Sequence, residues 1–456
     1  MAASKNKSIA ILGAGITGLV AAHRLTQLGH HVRIFEQSSR IGGAIRSERA
    51  DGWLIEAGPN SIMTGEPALT KLLSELDLDS KLMTAAPLAK HRYIVRRGRA
   101  VIAPLSPPAF LGSPLFSFGA KLRILAELRC RPRVRTSDVA LADFIRGHFG
   151  GEFVDYALDP MVSGVYAGNP ARLSARHAFP KLWEMEQKHG SLLRGQSDRA
   201  KARRAAGVPA PRIVSFADGL QVLPEAIAAR LPAGCVAFNS AVEAITPGNG
   251  WNVIWNQGEA THTQAFDGLI LALPAPALAR LRIGSLGERP LAAMESMEHP
   301  SVSSLFLGYR REQVQHPLDG FGMLVPSVEK RSILGVLFSS SLFPGRAPEG
   351  HVALTVMIGG SRQSEIAALP LGELLLRIHT DLDELVGVKG KPEFVRHTLW
   401  PRAIPQYNLG YEQYPSVMAA VELSHPGLFI GGQARDGIAL PACIAAGEKL
   451  AARADV

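Results

Sequence analysis

Residues 8–29 read SIAILGAGITGLVAAHRLTQLG, and this stretch decides the fold. Its opening apolar run is typical of a strand buried on both faces, and the residues after Gly15 are typical of a helix. In the connecting G-x-G-x-x-G turn, Gly13 allows a tight bend, Gly15 lets a pyrophosphate approach the backbone, and Gly18 lets helix and strand pack closely. The helix N-terminus offers free amides and a partial positive charge, so the stretch predicts a dinucleotide-binding unit.

Glu36 ends the next predicted strand, HVRIFE. An acid about 20 residues past the glycines suits a hydrogen bond to a ribose hydroxyl. A glycine turn that binds no ligand is the alternative. Because strand, helix and acid are in register, we favour the dinucleotide.

The segment SSRIGGAIRSE, which comes next, favours a flavin over a nicotinamide. Arg40, Gly42, Gly43 and Ser47 resemble the R-x-G-G-x-x-x-S/T extension of two-domain flavoproteins such as the amine oxidases. The glycine pair would let backbone amides meet the pyrophosphate from a second side, with Arg46 as a countercharge. A polar turn that happens to contain two glycines is the alternative.

Composition limits the remaining classes. The chain has 456 residues, enough for two or three domains, and its 46% hydrophobic content is ordinary for a globular protein. The net charge of +9 suits a carboxylated substrate, an acidic membrane surface or nucleic acid. Nucleic acid is disfavoured because the basic residues are not interleaved with aromatic ones. Cys130, Cys235 and Cys443 are far apart and the histidines show no ligand spacing, so we predict neither disulfides nor a metal site.

The chain shows no obvious targeting segment. The first strand begins so early that no signal peptide is expected, and no apolar run reaches the roughly 18 residues of a membrane span. The widely spaced cysteines fit a reducing compartment. We therefore predict a cytoplasmic protein, with peripheral attachment to the inner face of the cell membrane left open.

The order of the predicted elements gives an α/β (α+β multidomain) fold. We expect a Rossmann-type FAD-binding domain from residues 1–90, 212–290 and 396–456, a helical insertion at 91–211 and a sheet-based substrate domain at 291–395. Residues 100–135 combine a proline-broken apolar stretch with a basic helix, which suits an anionic membrane surface. A helical subdomain that lines a pocket is equally compatible. Residues 195–211, charged and ending in proline, predict a mobile loop.

Two more glycine turns are candidate flavin contacts. The backbone at Gly58, Pro59 and Asn60 suits one face of an isoalloxazine ring, although a surface turn explains the spacing equally well. The stretch LFIGGQARDGIALPACIAAGE predicts a strand, a glycine turn and a helix that begins near Pro441. The N-terminus of this helix would stabilise a reduced, anionic flavin. A helix that only packs is the alternative.

The chain resembles the oxygen-dependent protoporphyrinogen oxidase family in residues 159–195, which read DPMVSGVYAGNPARLSARHAFPKLWEMEQKHGSLLRG. The resemblance covers about residues 8–452, because it includes the further stretches FADGLQVLPEAIA, PLDGFGMLVPS, LGVLFSSSLFPGRAPEG and WPRAIPQYNLGY. It implies a flavin domain, a substrate domain and a helical, membrane-associated domain. It also implies non-covalent FAD, because the surroundings of Cys443 do not resemble the flavin-attachment motif of monoamine oxidases.

The resemblance also implies site residues. Carried over by motif, FAD contacts fall on Gly13, Ala14, Gly15, Ile16, Thr17, Gly18, Glu36, Gln37, Ala44, Gly58, Pro59, Asn60, Ser61, Val242, Trp400, Ile438, Ala439 and Leu440. Substrate contacts fall on Arg96, Gly164, Leu324, Leu337 and Met357. Met357 departs from the family, since plant relatives carry an aromatic residue there, and ring stacking is not expected at this position.

A porphyrinogen is a large apolar macrocycle with carboxylate side chains. The three apolar residues Leu324, Leu337 and Met357 could form a slot, and Arg96 could pair with a propionate. Gly164 would let the backbone approach the ring, although a simple turn also explains it. The family implies hydride transfer to the flavin and reoxidation by O2 to H2O2, in three rounds. The flavin carries the chemistry, so no residue is assigned a catalytic role.

Three alternatives to a protoporphyrinogen oxidase remain. The nearest is a coproporphyrinogen oxidase, and another is an amine oxidase-like flavoenzyme. A non-catalytic binder similar to the GDP-dissociation inhibitors comes from a different class. The oligomeric state, including a homodimer, is left open.

Overall fold

The computed structural model describes residues 6–284 and 287–456. Its strands are β1 (Ser8–Leu12), β2 (His31–Phe35), β3 (Ser47–Ala50), β4 (Trp53–Glu56), β5 (Ile62–Met63), β6 (Leu82–Thr84), β7 (His91–Arg96), β8 (Arg99–Ile102), β9 (Ile213–Phe216), β10 (Val236–Ala237), β11 (Ala241–Gly248), β12 (Gly250–Gln257), β13 (Ala260–Phe266), β14 (Gly268–Leu271), β15 (Arg282–Ile283), β16 (Val302–Arg310), β17 (Gly320–Leu324), β18 (Ile333–Leu337), β19 (His351–Gly359), β20 (Phe394–Trp400) and β21 (Leu428–Ile430).

The α-helices are α1 (Ile16–Gln27), α2 (Pro67–Glu75), α3 (Pro107–Gly112), α4 (Phe118–Ala126), α5 (Leu141–Phe149), α6 (Gly151–Phe153), α7 (Asp159–Tyr166), α8 (Ala175–Ala178), α9 (Pro180–His189), α10 (Leu192–Ala205), α11 (Val222–Ala228), α12 (Ala275–Arg280), α13 (Ser339–Leu342), α14 (Ser364–Ala367), α15 (Leu371–Val386), α16 (Gln413–Ser424) and α17 (Leu440–Asp455). A π-helical turn, Val154–Leu158, joins α6 to α7.

A five-stranded parallel sheet in the order β10-β2-β1-β14-β21 forms the frame of the dinucleotide domain. Strand β1 is buried on both faces: Ile9 and Ile11 pack in the cluster that contains α1 and α17, and Ala10 and Leu12 pack on the opposite side. The carboxyl ends of β1 and β2 therefore bring the glycine turn and Glu36 to the same edge of the sheet.

A second sheet, in the order β13-β12-β11-β15, covers the face of the parallel sheet opposite α1. The two layers meet at aromatic side chains, with the rings of Phe35 and Trp255 4.8 Å apart. Val242 lies on β11 in this layer. Two small sheets, β3-β4 and β5-β9-β6, complete this half of the protein. The predicted Rossmann-type domain is confirmed.

A seven-stranded sheet in the order β20-β16-β19-β18-β17-β7-β8 forms the other half, and one of its faces packs on α15. The predicted boundaries are wrong here in two places. Strands β7 and β8, assigned to the helical insertion, and all of β20, which the boundary at 396 divides, belong to this sheet. The physical reason is that partners distant in the chain supply the backbone hydrogen bonds.

The helical insertion contains α3 to α10. The predicted mobile loop at 195–211 is wrong for residues 195–205, because α10 continues to Ala205. Ser191 caps this helix, and Glu127 accepts hydrogen bonds from the amides of Leu192 and Leu193. A distant carboxylate thus stabilises a helix whose polar composition alone favours a loop. Among the described residues, no helix combines the length and apolar character that crossing a bilayer requires.

Candidate functional site

The glycine turn after β1 leaves room for a phosphate at one position. Gly13 has φ +103°, and its amide donates to Phe35 O at 2.8 Å. A Cβ at Gly18 would lie 2.0 Å from Gly13 O, so only glycine lets α1 approach β1 here. A Cβ at Gly15 would meet no atom within 4 Å. The turn therefore presents open space at the N-terminus of α1, and it fits a dinucleotide pyrophosphate.

The R-x-G-G segment lies directly against this turn. Gly42 forms a parallel bridge with Gly15, and its amide donates to Ala14 O at 2.9 Å. Gly43 has φ +58°, and a Cβ there would lie 3.3 Å from Gly15 Cα. The two glycine motifs are adjacent in space, as the flavin interpretation requires.

Arg40 and Arg46 take different positions in this segment. The Arg40 guanidinium donates to three backbone carbonyls of its own loop, among them Gly43 O at 2.6 Å and Ile45 O at 3.1 Å. Burial, with a smaller contribution from Arg46, lowers the pKa of Arg40, while Glu36 opposes this shift. Arg46 is half exposed and lies 3.8 Å from a carboxylate of Glu48. Arg40 thus shapes the loop, and Arg46 stays available as a surface countercharge.

Glu36 lies at the carboxyl end of β2, beside the glycine turn. Its Oε2 accepts a hydrogen bond from the Ala14 amide at 2.9 Å, and its Oε1 accepts two from Ser38. These contacts hold the carboxylate at the edge where a ribose would lie. The neighbouring Gln37 is exposed.

The turn at Gly58 is brought to the same region. A Cβ at Gly58 would lie 2.0 Å from Ala44 O, which places these two predicted FAD contacts side by side. Trp400 donates from Nε1 to Ala57 O at 2.9 Å, and Asn60 Nδ2 donates to Gly58 O at 3.1 Å. Residues more than 300 positions apart in the chain therefore meet at this turn.

Sequence reasoning missed a buried ion pair behind this turn. Glu56 accepts hydrogen bonds from Arg346 at 3.1 Å, from the Leu220 amide at 2.9 Å and from Ser47 Oγ at 2.6 Å. Both charged side chains are buried. The pair ties strand β4 to the substrate half of the protein. The available signal was an acid in the apolar strand WLIE directly before the turn.

The C-terminal turn faces the N-terminus of α1. Thr17 Oγ1 donates to Cys443 O at 3.0 Å, so the first turns of α1 and α17 are adjacent. Ile438, Ala439 and Leu440 lead into α17. Burial raises the pKa of Cys443 to about 12, so its side chain is a neutral thiol.

Two tyrosines that the sequence did not single out hold this turn. Tyr407 OH donates to Gln433 O and accepts from the Gly437 amide at 3.0 Å. Tyr411 OH donates to Ala434 O at 2.8 Å. Burial raises the pKa of both phenols, so they remain neutral donors. They lie in PQYNLGY, a stretch to which the motif comparison gave no role.

Register places three predicted substrate contacts on one face of the seven-stranded sheet. Leu324 and Met357 both lie opposite Gly335, and Leu337 lies opposite Gly322, two residues before Leu324. Since opposed residues share a face and the strand period is two, Leu324, Leu337 and Met357 face the same side. The intervening residues Met323, Val336 and Val356 pack against α15 instead.

Trp400 and Gly164 connect this face to the predicted flavin region. Met357 lies opposite Ser304, which lies opposite Thr398, two residues before Trp400. Trp400 therefore lies on the same face of the sheet. Gly164 approaches it from α7, and a Cβ there would lie 2.7 Å from Leu324 Cδ2. The structure thus brings four of the five predicted substrate contacts to one face.

Arg96, the fifth predicted substrate contact, lies at the end of β7 and already has partners. Its guanidinium donates to Glu152 Oε1 at 2.6 Å and to Leu115 O, and lies 4.5 Å from the centre of the Tyr156 ring. Burial opposes ionisation of Glu152, but hydrogen bonds from Ser117 and Arg96 outweigh it and lower its pKa. A propionate would have to share or replace this carboxylate. The neighbouring Arg97 is exposed at the hairpin turn.

Arg362 is a further residue that sequence reasoning missed. It is largely buried and donates to Ser163 Oγ at 2.8 Å, Asp159 Oδ2 at 3.2 Å and Val325 O at 3.0 Å. Burial lowers the pKa of this guanidinium, and Asp159 opposes the shift. Arg362 thereby fixes α7 against β17. No motif marks it in the sequence.

A dinucleotide site with the R-x-G-G segment beside it, joined to an apolar sheet face, is typical of a flavoprotein. Residues 16–454 match the model of the family described as flavin containing amine oxidoreductase, and the chain belongs to that family. It is an oxidoreductase with FAD as its cofactor, as the sequence predicted.

Several curated relatives extend over nearly the whole chain. Protoporphyrinogen oxidase 2, chloroplastic/mitochondrial, of Arabidopsis thaliana is 32% identical, covering 98% of this chain and 94% of the relative. Coproporphyrinogen III oxidase of Staphylococcus aureus is 28% identical, covering 97% of each. Among solved structures, reduced UDP-galactopyranose mutase has the same fold, with a TM-score of 0.72, 18% identity and coverage of 97% and 94%.

Proposed function

We propose that this protein is an FAD-dependent protoporphyrinogen IX oxidase that uses O2 as acceptor and produces H2O2 and protoporphyrin IX. The observation that carries the proposal is the shared face of Trp400, Met357, Leu324 and Leu337. Trp400 contacts the predicted flavin turn through Ala57 O, so the apolar face extends from the flavin region. Relatives named protoporphyrinogen oxidase support this substrate class.

In this proposal FAD supplies the two-electron oxidation chemistry, and the protein binds and orients the substrate. The apolar face accepts the macrocycle and excludes water from one side of it. Gly164 sets the width of the slot through its contact with Leu324. Arg96 and the net charge of +9 attract the propionates.

A coproporphyrinogen III oxidase is the second candidate. Relatives of that name in Staphylococcus aureus and Bacillus subtilis cover 97% of this chain at 28% and 27% identity. A coproporphyrinogen carries four carboxylates, so it would need more basic partners than protoporphyrinogen does. The apolar character of the sheet face favours the less charged substrate.

The test is an aerobic assay of the FAD-loaded protein with both porphyrinogens, followed by porphyrin fluorescence and H2O2 detection. We expect faster oxidation of protoporphyrinogen. Arg96→Ala should raise the KM by up to about 140-fold, since a charge-assisted hydrogen bond contributes roughly 1.5–3 kcal/mol and the propionate shares this guanidinium with Glu152. Arg97→Ala is the matched control and should leave the KM unchanged. Flavin-loaded protein that oxidises neither porphyrinogen would contradict the proposal.

We further propose peripheral contact with an anionic membrane through α3, α4 and the following loop. Leu111, Phe118, Leu122, Leu125 and Val134 are exposed there. Exposed arginines lie between them at positions 123, 129, 131 and 133. A segment that exposes both apolar and basic side chains suits the headgroup region of anionic lipids. The protein should sediment with anionic but not neutral liposomes and be released by salt, and binding that ignores both would contradict this proposal.

A further inference from the structure

We propose that Asp138, His177 and Glu412 form a binding site for one divalent transition-metal cation, with Zn²⁺ as the representative ion. Asp138 lies in the segment before α5, His177 lies in α8, and Glu412 directly precedes α16. One ligand atom of each residue lies within 4.8 Å of the other two. His177 Nε2 is 3.8 Å from Glu412 Oε2.

The strongest observation is a buried carboxylate oxygen without a partner. Asp138 Oδ1 accepts hydrogen bonds from the amides of Val139 at 2.8 Å and Arg176 at 3.3 Å. Among the described residues nothing donates to its Oδ2, which is buried. Burying a charged oxygen without a partner is costly, because its hydration is lost without replacement. A cation bound by Asp138, His177 and Glu412 would compensate the charge of this carboxylate.

The donor set matches the coordination chemistry of such a cation. Zn²⁺ takes imidazole nitrogen and carboxylate oxygen at roughly 2.0–2.2 Å, and three protein ligands leave one position for water. Tetrahedral geometry then places the ligand atoms about 3.4 Å apart. The three ligand atoms lie within 4.8 Å of one another, so binding needs a contraction of at most about 1.4 Å. Glu412 can move toward the cation because its side chain is 63% exposed.

A second cluster contains Glu127, Cys130 and His148, and its carboxylate, unlike that of Asp138, has hydrogen-bond partners on both oxygens. Glu127 is already satisfied by His148 Nδ1 at 2.9 Å, Ser191 Oγ at 2.6 Å and the Leu192 amide. Burial, followed by the charge of Glu127, raises the pKa of Cys130, which keeps it a neutral thiol and a poor ligand. This cluster holds helices together without a cation, and Cys130 therefore provides a matched control.

A cation at the proposed site would join two parts of the protein. Asp138 and His177 belong to the helical insertion, whereas Glu412 follows Tyr411, which holds the C-terminal turn through Ala434 O. The two parts already meet where the Ser174 amide donates to Tyr407 O at 2.8 Å. Binding at this junction would stabilise the folded state and raise its Tm.

The experiment titrates tag-free, chelator-treated holoenzyme with ZnCl2 by calorimetry and measures Tm with and without zinc. Wild type and Cys130→Ser should bind one Zn²⁺ per chain, with a higher Tm. His177→Gln and Glu412→Gln should bind at least about tenfold more weakly and lose the Tm increase. Because Glu412 is exposed, Glu412→Gln should melt as wild type does without zinc. The proposal is overturned if wild type binds no stoichiometric zinc at tens of micromolar, if Glu412→Gln binds normally, or if Cys130→Ser abolishes binding.

Discussion

The substitution Gly15→Val should weaken FAD binding without lowering the stability of the apoprotein. Gly15 has φ −69° and ψ 172°, a conformation open to any residue, and a Cβ there meets no protein atom within 4 Å. The apoprotein should therefore keep its stability. The added side chain would, however, fill the space where the pyrophosphate approaches the N-terminus of α1. Losing one charge-assisted hydrogen bond costs about 1.5–3 kcal/mol, which corresponds to FAD binding about 10- to 140-fold weaker.

Gly18→Ala is the comparison variant. Its new Cβ would lie 2.0 Å from Gly13 O, a backbone atom that can move only if helix or strand shifts. Overpacking of this kind costs roughly 1–3 kcal/mol, so its apoprotein should melt several degrees lower. The assays are FAD titration of the apoprotein by flavin fluorescence and thermal melting without FAD. The reasoning is refuted if Gly15→Val binds FAD like wild type, or if its apoprotein is as unstable as that of Gly18→Ala.

Two other predictions concern the slot and the helical insertion. Gly164→Ala should raise the porphyrinogen KM several-fold in steady-state kinetics with little change in Tm, because Leu324 Cδ2, 2.7 Å from the new Cβ, is the movable end of a side chain. An unchanged KM would contradict the slot assignment. Glu127→Gln should lower the free energy of unfolding by about 3–5 kcal/mol, since it breaks a buried pair with His148. Burial opposes ionisation of Glu127, but hydrogen bonds from His148 and Ser191 outweigh it and lower its pKa. Its stabilisation should therefore be complete above pH 4.5, its ordinary pKa, and disappear as the pH falls through the lowered value. Denaturant unfolding across this range should show a weaker pH dependence in the variant than in wild type.

Local pattern was enough to predict the dinucleotide half of the fold. Glycine spacing and short apolar runs are local properties, and they located β1, α1, β2, β21 and α17. Which strands pair is not a local property. Strands β7 and β8 form a hairpin around Arg97, and the place of this hairpin at the edge of the seven-stranded sheet depends on hydrogen bonds to β17, more than 200 residues later in the chain.

In the candidate site, too, local sequence pattern predicts some features, whereas others depend on contacts between distant parts of the chain. Glycines that the backbone requires can be recognised from their spacing in the sequence. Most predicted FAD contacts lie in glycine turns, and the structure brings these turns together. Buried ion pairs cannot be recognised from spacing in the sequence. The partner of Arg96 is Glu152 and the partner of Glu56 is Arg346, and each pair joins positions that no spacing rule connects.

The contact between α1 and α17 has a consequence for biosynthesis. Gly447 lies so close to α1 that a Cβ there would be 2.6 Å from Thr17 O, and the first and last helices are packed as one layer. Strand β21, near the end of the chain, completes the sheet that begins with β1. A growing polypeptide therefore cannot close its nucleotide-binding half until β21 and α17 have been translated, more than 400 residues after β1. Until then the sheet that contains β1 lacks its edge strand β21 and the layer formed with α17, so the sequence-distant contacts make closure of this half slow and leave apolar surface exposed.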